Sequence, residues 1–78
     1  MSSPEGGTLA LRGEHITLAQ ALKVVGVADT GGQAKVLVRT GTVLVNGVAE
    51  TQPGRKLRAG DRFKVGDEPE WTVAASAP

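Results

Sequence analysis

The dipeptide Asn46-Gly47, set between the apolar runs Val43-Leu44-Val45 and Val48-Ala49, constrains this chain more than any other feature. A two-residue hairpin loop whose twist matches its strands needs positive φ at both central positions, and Asn followed by Gly adopts that conformation with least strain. A hairpin over residues 43–50 is therefore predicted, and the fold must contain a sheet. Pro53-Gly54 and Ala59-Gly60-Asp61 punctuate the chain after it. Leu57 alternates with Lys56 and Arg58, and Phe63 and Val65 alternate with Arg62 and Lys64, so strands with one wet, basic face follow. Asp67 to Pro69 is a turn, and Trp71 and Val73 supply a last strand.

Upstream of the hairpin the apolar period changes from two to about 3.6. Thr17 and Gln20 stand at capping-box spacing, Ile16 can staple onto Ala21, and Leu18, Ala21, Leu22 and Val25 follow on one helical stripe that Gly26 ends. A second box pairs Thr30 with Gln33, Asp29 adds negative charge near the same start, and the stripe Ala34, Leu37, Val38 runs to Gly41. Local propensity offers a rival here. Val36-Leu37-Val38 is rich in β-branched residues and is able to pair as a strand with Val43-Leu44-Val45, although the cap and the glycine stop favour the helix. Thr8 to Arg12 alternates weakly, as a short strand would.

At 78 residues the chain is a single domain with a small core, expected over 8–74 with tails at 1–7 and 75–78. Without cysteine it has neither disulfide nor thiolate metal ligand, which fits a reducing cytoplasm. The start has no secretory pattern, and no apolar run is long enough for a bilayer, so no membrane association is expected. Catalysis is also disfavoured. His15 is the only histidine, there is no tyrosine, and Ser2, Ser3 and Ser76 fall in the tails, so nucleophile and base cannot be paired. Glu68 and Glu70 flank Pro69 in a turn, and Gly31-Gly32-Gln33-Ala34-Lys35 lacks the spacing of a phosphate-binding P-loop. The expectation is a non-enzymatic chain that needs no cofactor and works as a monomer.

A formal charge of +1 conceals a segregated distribution. From Lys23 to Lys64, eight basic residues face Asp29, Glu50 and Asp61, a net +5, whereas the remainder carries −4. A local cationic face attracts phosphates even on a nearly neutral molecule. On the second helix Gly31 or Gly32, Lys35 and Arg39 recur every three to four residues, opposite the apolar stripe. Lys35 and Arg39 repel one another at i, i+4, while the two glycines leave the first turn bare, so that a phosphate can approach its unpaired N–H groups and positive dipole end.

The pattern Ile16…Leu22-Lys23…Gly26…Thr30-Gly31-Gly32-Gln33-Ala34-Lys35…Gly41-Thr42-Val43-Leu44-Val45-Asn46-Gly47…Lys56-Leu57…Gly60-Asp61 resembles the RNA-binding domain named after ribosomal protein S-four, the alpha-L motif. It is most similar to the small stand-alone bacterial YbcJ-like members, and the resemblance covers residues 16–65. It implies an α+β fold: two packed helices followed by a small, mainly antiparallel twisted sheet, here with a short N-terminal and a C-terminal strand. It also implies that Thr30, Gln33, Lys35 and Arg39 on the helix and Asn46 at the turn meet RNA, beside the bare Gly31 and Gly32, with Arg55, Lys56 and Arg58 as a phosphate rim. Two departures weaken those contacts. Many members carry Ser-Arg where this chain has Thr30-Gly31, and small members often place a basic residue where it has Gln52-Pro53.

Phe63 and Trp71, the only large aromatic residues, are expected in the core, which leaves no platform for stacking unpaired bases. Folded RNA, read by shape and phosphate position, is therefore the expected target, and with the resemblance the expected partner is a structured ribosomal or transfer RNA, or a ribosomal particle. The alternative is a small protein-interaction module that uses an open sheet edge and Trp71.

Overall fold

The structure, a computed structural model, describes residues 7–75. Strands β1 (Thr8–Leu11) and β2 (Ile16–Thr17) precede helices α1 (Leu18–Val24) and α2 (Gly31–Arg39). Strands β3 (Val43–Val45), β4 (Val48–Ala49), β5 (Lys56–Leu57), β6 (Arg62–Val65) and β7 (Trp71–Ala75) follow. Five of them form one sheet in the order β1-β7-β6-β3-β4, and β2 pairs with β5 as a separate two-stranded ribbon. Among the described residues only the β1–β7 pair is parallel; the other pairings are antiparallel. The α+β class and the two consecutive helices are as the sequence predicts.

Both helix starts use the expected threonines. Thr17 caps α1 through a complete box: its hydroxyl accepts from Gln20 N–H at 3.2 Å and Gln20 Oε1 accepts from Thr17 N–H at 3.0 Å. At α2 only half of the predicted box forms. Thr30 Oγ1 accepts from Gln33 N–H at 3.1 Å, but Gln33 Oε1 reaches one residue further back, to Asp29 N–H at 3.0 Å. Val36-Leu37-Val38 is helical, because Ala34 and Val38 bury completely against the core with Leu37 half-buried, a face that only the 3.6 period creates. Gly26 and Gly41, at φ 85° and 83°, turn the chain after each helix.

The core joins the inner faces of both helices to one face of the sheet: Leu18, Ala21, Leu22, Ala34 and Val38 meet Leu9, Leu11, Val43, Val45, Phe63 and Val73. Phe63 is wholly buried and is the largest side chain in that state, which stabilises the fold by about 2–3 kcal/mol. Trp71 is less committed than the sequence implies. It is half-buried, directly opposite Phe63, and its ring lies over Gly7, where a Cβ would stand 3.1 Å from Trp71 Cζ3. β7 also runs past the expected tail boundary to Ala75, since pairing with β1 carries the ladder to Leu11 and Ala75. The remainder of the expected tails, 1–6 and 76–78, lies outside the described residues.

Candidate nucleic-acid interface

The two helix starts differ in what occupies them. At α1 the first two amides are taken by the protein itself: Leu18 N–H donates to Arg55 O at 2.8 Å and Ala19 N–H to Pro53 O at 3.1 Å. The basic segment at 53–58 is thereby fastened to α1, and the β2–β5 ribbon, with Thr17 opposite Lys56, fastens it again. At α2 no segment among the described residues plays that part. Thr30 serves Gln33 N–H, and Thr30 O accepts from Ala34 N–H, which leaves Gly31 and Gly32 as the open donors of the first turn. Thr30, Gly32, Gln33, Lys35 and Arg39 are all exposed and Gly31 is half-buried. A Cβ at Gly31 would meet nothing within 4 Å, and one at Gly32 only Thr30 Oγ1 at 3.8 Å. The protein itself does not require these glycines to be bare.

The second cluster gathers around Asp61. Asn46 (φ 52°) and Gly47 (φ 84°) form the predicted turn between β3 and β4. The Asn46 side chain points back into the protein, with Nδ2 donating to Asp61 Oδ1 at 3.1 Å and Oδ1 accepting from Arg62 N–H at 2.9 Å. Asp61 Oδ2 accepts from Arg58 N–H at 2.8 Å. That bond, with the Asn46 amide and the nearby Arg55 and Arg58 charges, holds the Asp61 carboxyl below the usual range against the opposing effect of partial burial. Asn46, Arg55 and Arg58, three of the expected residues, are thus brought together.

Arg55 is already partly neutralised. Its Nη1 lies 2.9 Å from Glu50 Oε1, while Glu50 Oε2 accepts from Thr51 N–H and Gln52 N–H. The Arg55 hydrogen bond is the main reason that the Glu50 carboxyl is held below its ordinary value. Sequence reasoning missed this pairing, although Glu50 is the one acid between the hairpin and the basic turn and was therefore the signal to follow. Lys35, Arg39, Lys56 and Arg58 are exposed and carry no ion pair among the described residues. The Glu50 segment runs beside the end of α2, since a Cβ at Gly41 would approach Thr51 Cγ2 at 4.0 Å.

None of these groups lines the groove between β1 and α1, whose walls include Leu9, Leu11, Ile16, Val24, Val25 and Trp71. Among the described residues no three His, Cys, Asp or Glu side chains cluster to hold a metal, and no helix is long and apolar enough to cross a membrane.

Comparison with known proteins places this geometry in a family. Residues 9–73 match the S4 domain. The chain is 42% identical over 52 residues to the "Probable ribosome maturation protein RlbA" of Bacillus subtilis (strain 168), an alignment covering 67% of this chain and 73% of that protein. It is 39% identical over 46 residues to the "Putative RNA-binding protein YbcJ" of Escherichia coli (strain K12), covering 59% of this chain and 66% of YbcJ. The two-helix start, the Asn-Gly hairpin and the sequence match agree: the chain belongs to the S4 domain family.

Proposed function

We propose that this protein is a non-catalytic binder of structured RNA, acting on ribosomal or transfer RNA or on a ribosomal particle, in the cytoplasm and as a monomer. RNA binding is the function that membership of the S4 domain family and the names of its relatives support. The observation that carries the reading for this chain is the contrast between its helix starts. One is closed by its own backbone; the other presents open N–H groups on a face with two unpaired cations, Lys35 and Arg39.

In this reading a phosphate sits at the Gly31-Gly32 turn, favoured by the helix dipole and the bare backbone, and Lys35 and Arg39 extend the contact along the strand. Lys56 and Arg58 bind a neighbouring stretch, with Thr30 and Gln33 at the margin and Arg55 contributing less because Glu50 competes for it. With Trp71 half-buried and Phe63 fully buried, no exposed Phe, Tyr or Trp forms a platform for stacking unpaired bases, so shape and phosphate position dominate recognition. The protein-interaction reading has less support: β7, the strand of Trp71, lies between β1 and β6 and offers no edge.

The test is a salt titration with labelled transfer RNA and a folded ribosomal RNA fragment. Four free cations predict a slope of log affinity against log salt of about −3 to −4, shallower than five would give, and Lys35→Ala lowers it by about one. Amide signals of residues 30–39 and 55–58 that stay unmoved with both RNAs at low salt would overturn the proposal.

A further inference from the structure

We infer that Asn46 and Asp61 act as positioning residues, a polar latch that fixes the backbone of Arg58 to the hairpin so that the basic turn is preset for RNA, and that neither side chain contacts RNA itself. The inference rests on the RNA-binding reading above and assigns Asn46 a different part from the one that the family resemblance implies.

The geometry has two matching halves. Asn46 grips Arg62 at both backbone atoms, its N–H donating to Arg62 O at 2.7 Å and its Oδ1 accepting from Arg62 N–H at 2.9 Å. Asp61 grips Arg58 in the same way, its N–H donating to Arg58 O at 2.9 Å and its Oδ2 accepting from Arg58 N–H at 2.8 Å. A single bond, Asn46 Nδ2–H to Asp61 Oδ1 at 3.1 Å, couples the halves across 15 residues of sequence. The Asp61 backbone is anchored separately, its carbonyl accepting from Val73 N–H at 2.8 Å while Gly60 N–H donates to Val73 O at 2.8 Å. Both Asp61 oxygens, the Asn46 oxygen and one Asn46 N–H are therefore engaged within the protein. What the latch leaves free is the exposed Arg58 side chain, on a backbone that it holds still. A cation whose backbone is already ordered loses less freedom when it meets a phosphate.

The pattern of donors and acceptors makes the latch separable from charge. Asp61→Asn puts an NH₂ group where two donors already point, so either the Asn46 bond or the Arg58 bond must break. It also removes a negative charge beside Arg55 and Arg58, which by electrostatics alone strengthens RNA binding. The latch predicts the opposite sign. Asn46→Asp sets two carboxylates face to face. The exchange Asn46→Asp with Asp61→Asn restores every bond at unchanged net charge: the new carboxylate accepts from Arg62 N–H and from the new amide, whose oxygen accepts from Arg58 N–H.

The experiment measures the affinity of the full chain and these three variants for fluorescein-labelled transfer RNA and a folded ribosomal RNA fragment at several salt concentrations. Amide spectra report which variants are folded. The expected result is binding weakened about five- to tenfold by either single change and returned to within about twofold of wild type by the exchange. Binding by Asp61→Asn as tight as or tighter than wild type overturns the latch. So does an exchange variant that binds as poorly as Asn46→Asp, because a direct contact from Asn46 is not rescued at position 61. If a single variant does not fold, the exchange decides alone. A wild type that binds neither RNA overturns the RNA-binding reading, whereas a binding wild type with an unaffected Asp61→Asn overturns the latch only.

Discussion

Glu50 Oε1 stands 2.9 Å from Arg55 Nη1, so the acid that ends the hairpin restrains the first cation of the basic turn. The pair lies at the surface, with Arg55 41% exposed and Glu50 17%, and its net worth to folding is under about 1 kcal/mol. The pair also bears on phosphate binding, because an arginine held by a carboxylate must give up that partner before it displaces a counterion. Glu50→Gln keeps an oxygen for the Thr51 and Gln52 amides and releases the guanidinium. The salt dependence of RNA binding should then steepen by roughly 0.7 to 0.9, with a melting temperature within a few degrees of wild type. An unchanged slope would show that Arg55 does not face the RNA.

Glu50 and Asp61 also set the acid limit of the fold. Both carboxyls are held below their ordinary values, Glu50 chiefly by Arg55 and Asp61 chiefly by the Arg58 amide. A carboxyl with a lowered folded-state pKa binds protons more readily when unfolded, so its stabilisation is complete above the unfolded pKa and disappears as pH falls through the folded one. Melts from pH 7 downward should be flat to about pH 5 and fall progressively below it. In Glu50→Gln the acid-side fall should be shallower, since one of the two linked groups no longer titrates. An equally steep fall in that variant would assign the effect to Asp61 and the remaining acids.

The elements that local chemistry dictates were legible in the sequence, and the pairing of distant strands was not. Thr17, Thr30 and Asn46-Gly47 act within four residues of themselves, so the helix starts and the hairpin turn could be read directly. The strands near Thr8, Leu57 and Trp71 were expected, but the parallel β1–β7 pairing joins residues more than sixty positions apart, and β2, two residues long, is too short to display a period. The site divides along the same line. Lys35 and Arg39 were placed by helical spacing alone, whereas the commitment of Asn46 to Asp61 depends on a turn 15 residues away. Gln33 shows the limit within a local motif, because its choice of the Asp29 amide over that of Thr30 follows from side-chain geometry that sequence spacing does not express.

Gly31 and Gly32 offer a test in which stability and binding move in opposite directions. Neither has a positive φ and neither lacks room for a methyl group, so alanine is accommodated at both. In a helix this exchange is favourable by up to about 1 kcal/mol per site. Gly31→Ala and Gly32→Ala should therefore melt at or above the wild-type temperature. If a phosphate approaches that turn, the added methyl groups stand in its path, and RNA affinity should fall several-fold while the salt slope from Lys35 and Arg39 persists. Variants that gain stability and lose no affinity would remove the helix start from the interface and leave the cations alone.

Gly47 separates backbone strain from crowding. A Cβ there meets nothing within 4 Å, yet φ is 84°, a conformation that other residues adopt with difficulty. Gly47→Ala should destabilise the protein by about 1–2 kcal/mol, and a shift of roughly 4–8 °C per kcal/mol is expected in a domain of this size. Gly54 is the matched control, equally uncrowded but without the positive φ. Gly54→Ala should be neutral or slightly stabilising, because it mainly restricts the unfolded chain. The difference between the two melting temperatures then isolates the conformational demand of the turn. Equal shifts in the two variants would mean that the turn relaxes to accept a side chain, and that the Asn46-Gly47 dipeptide constrains the hairpin less than its backbone angles indicate.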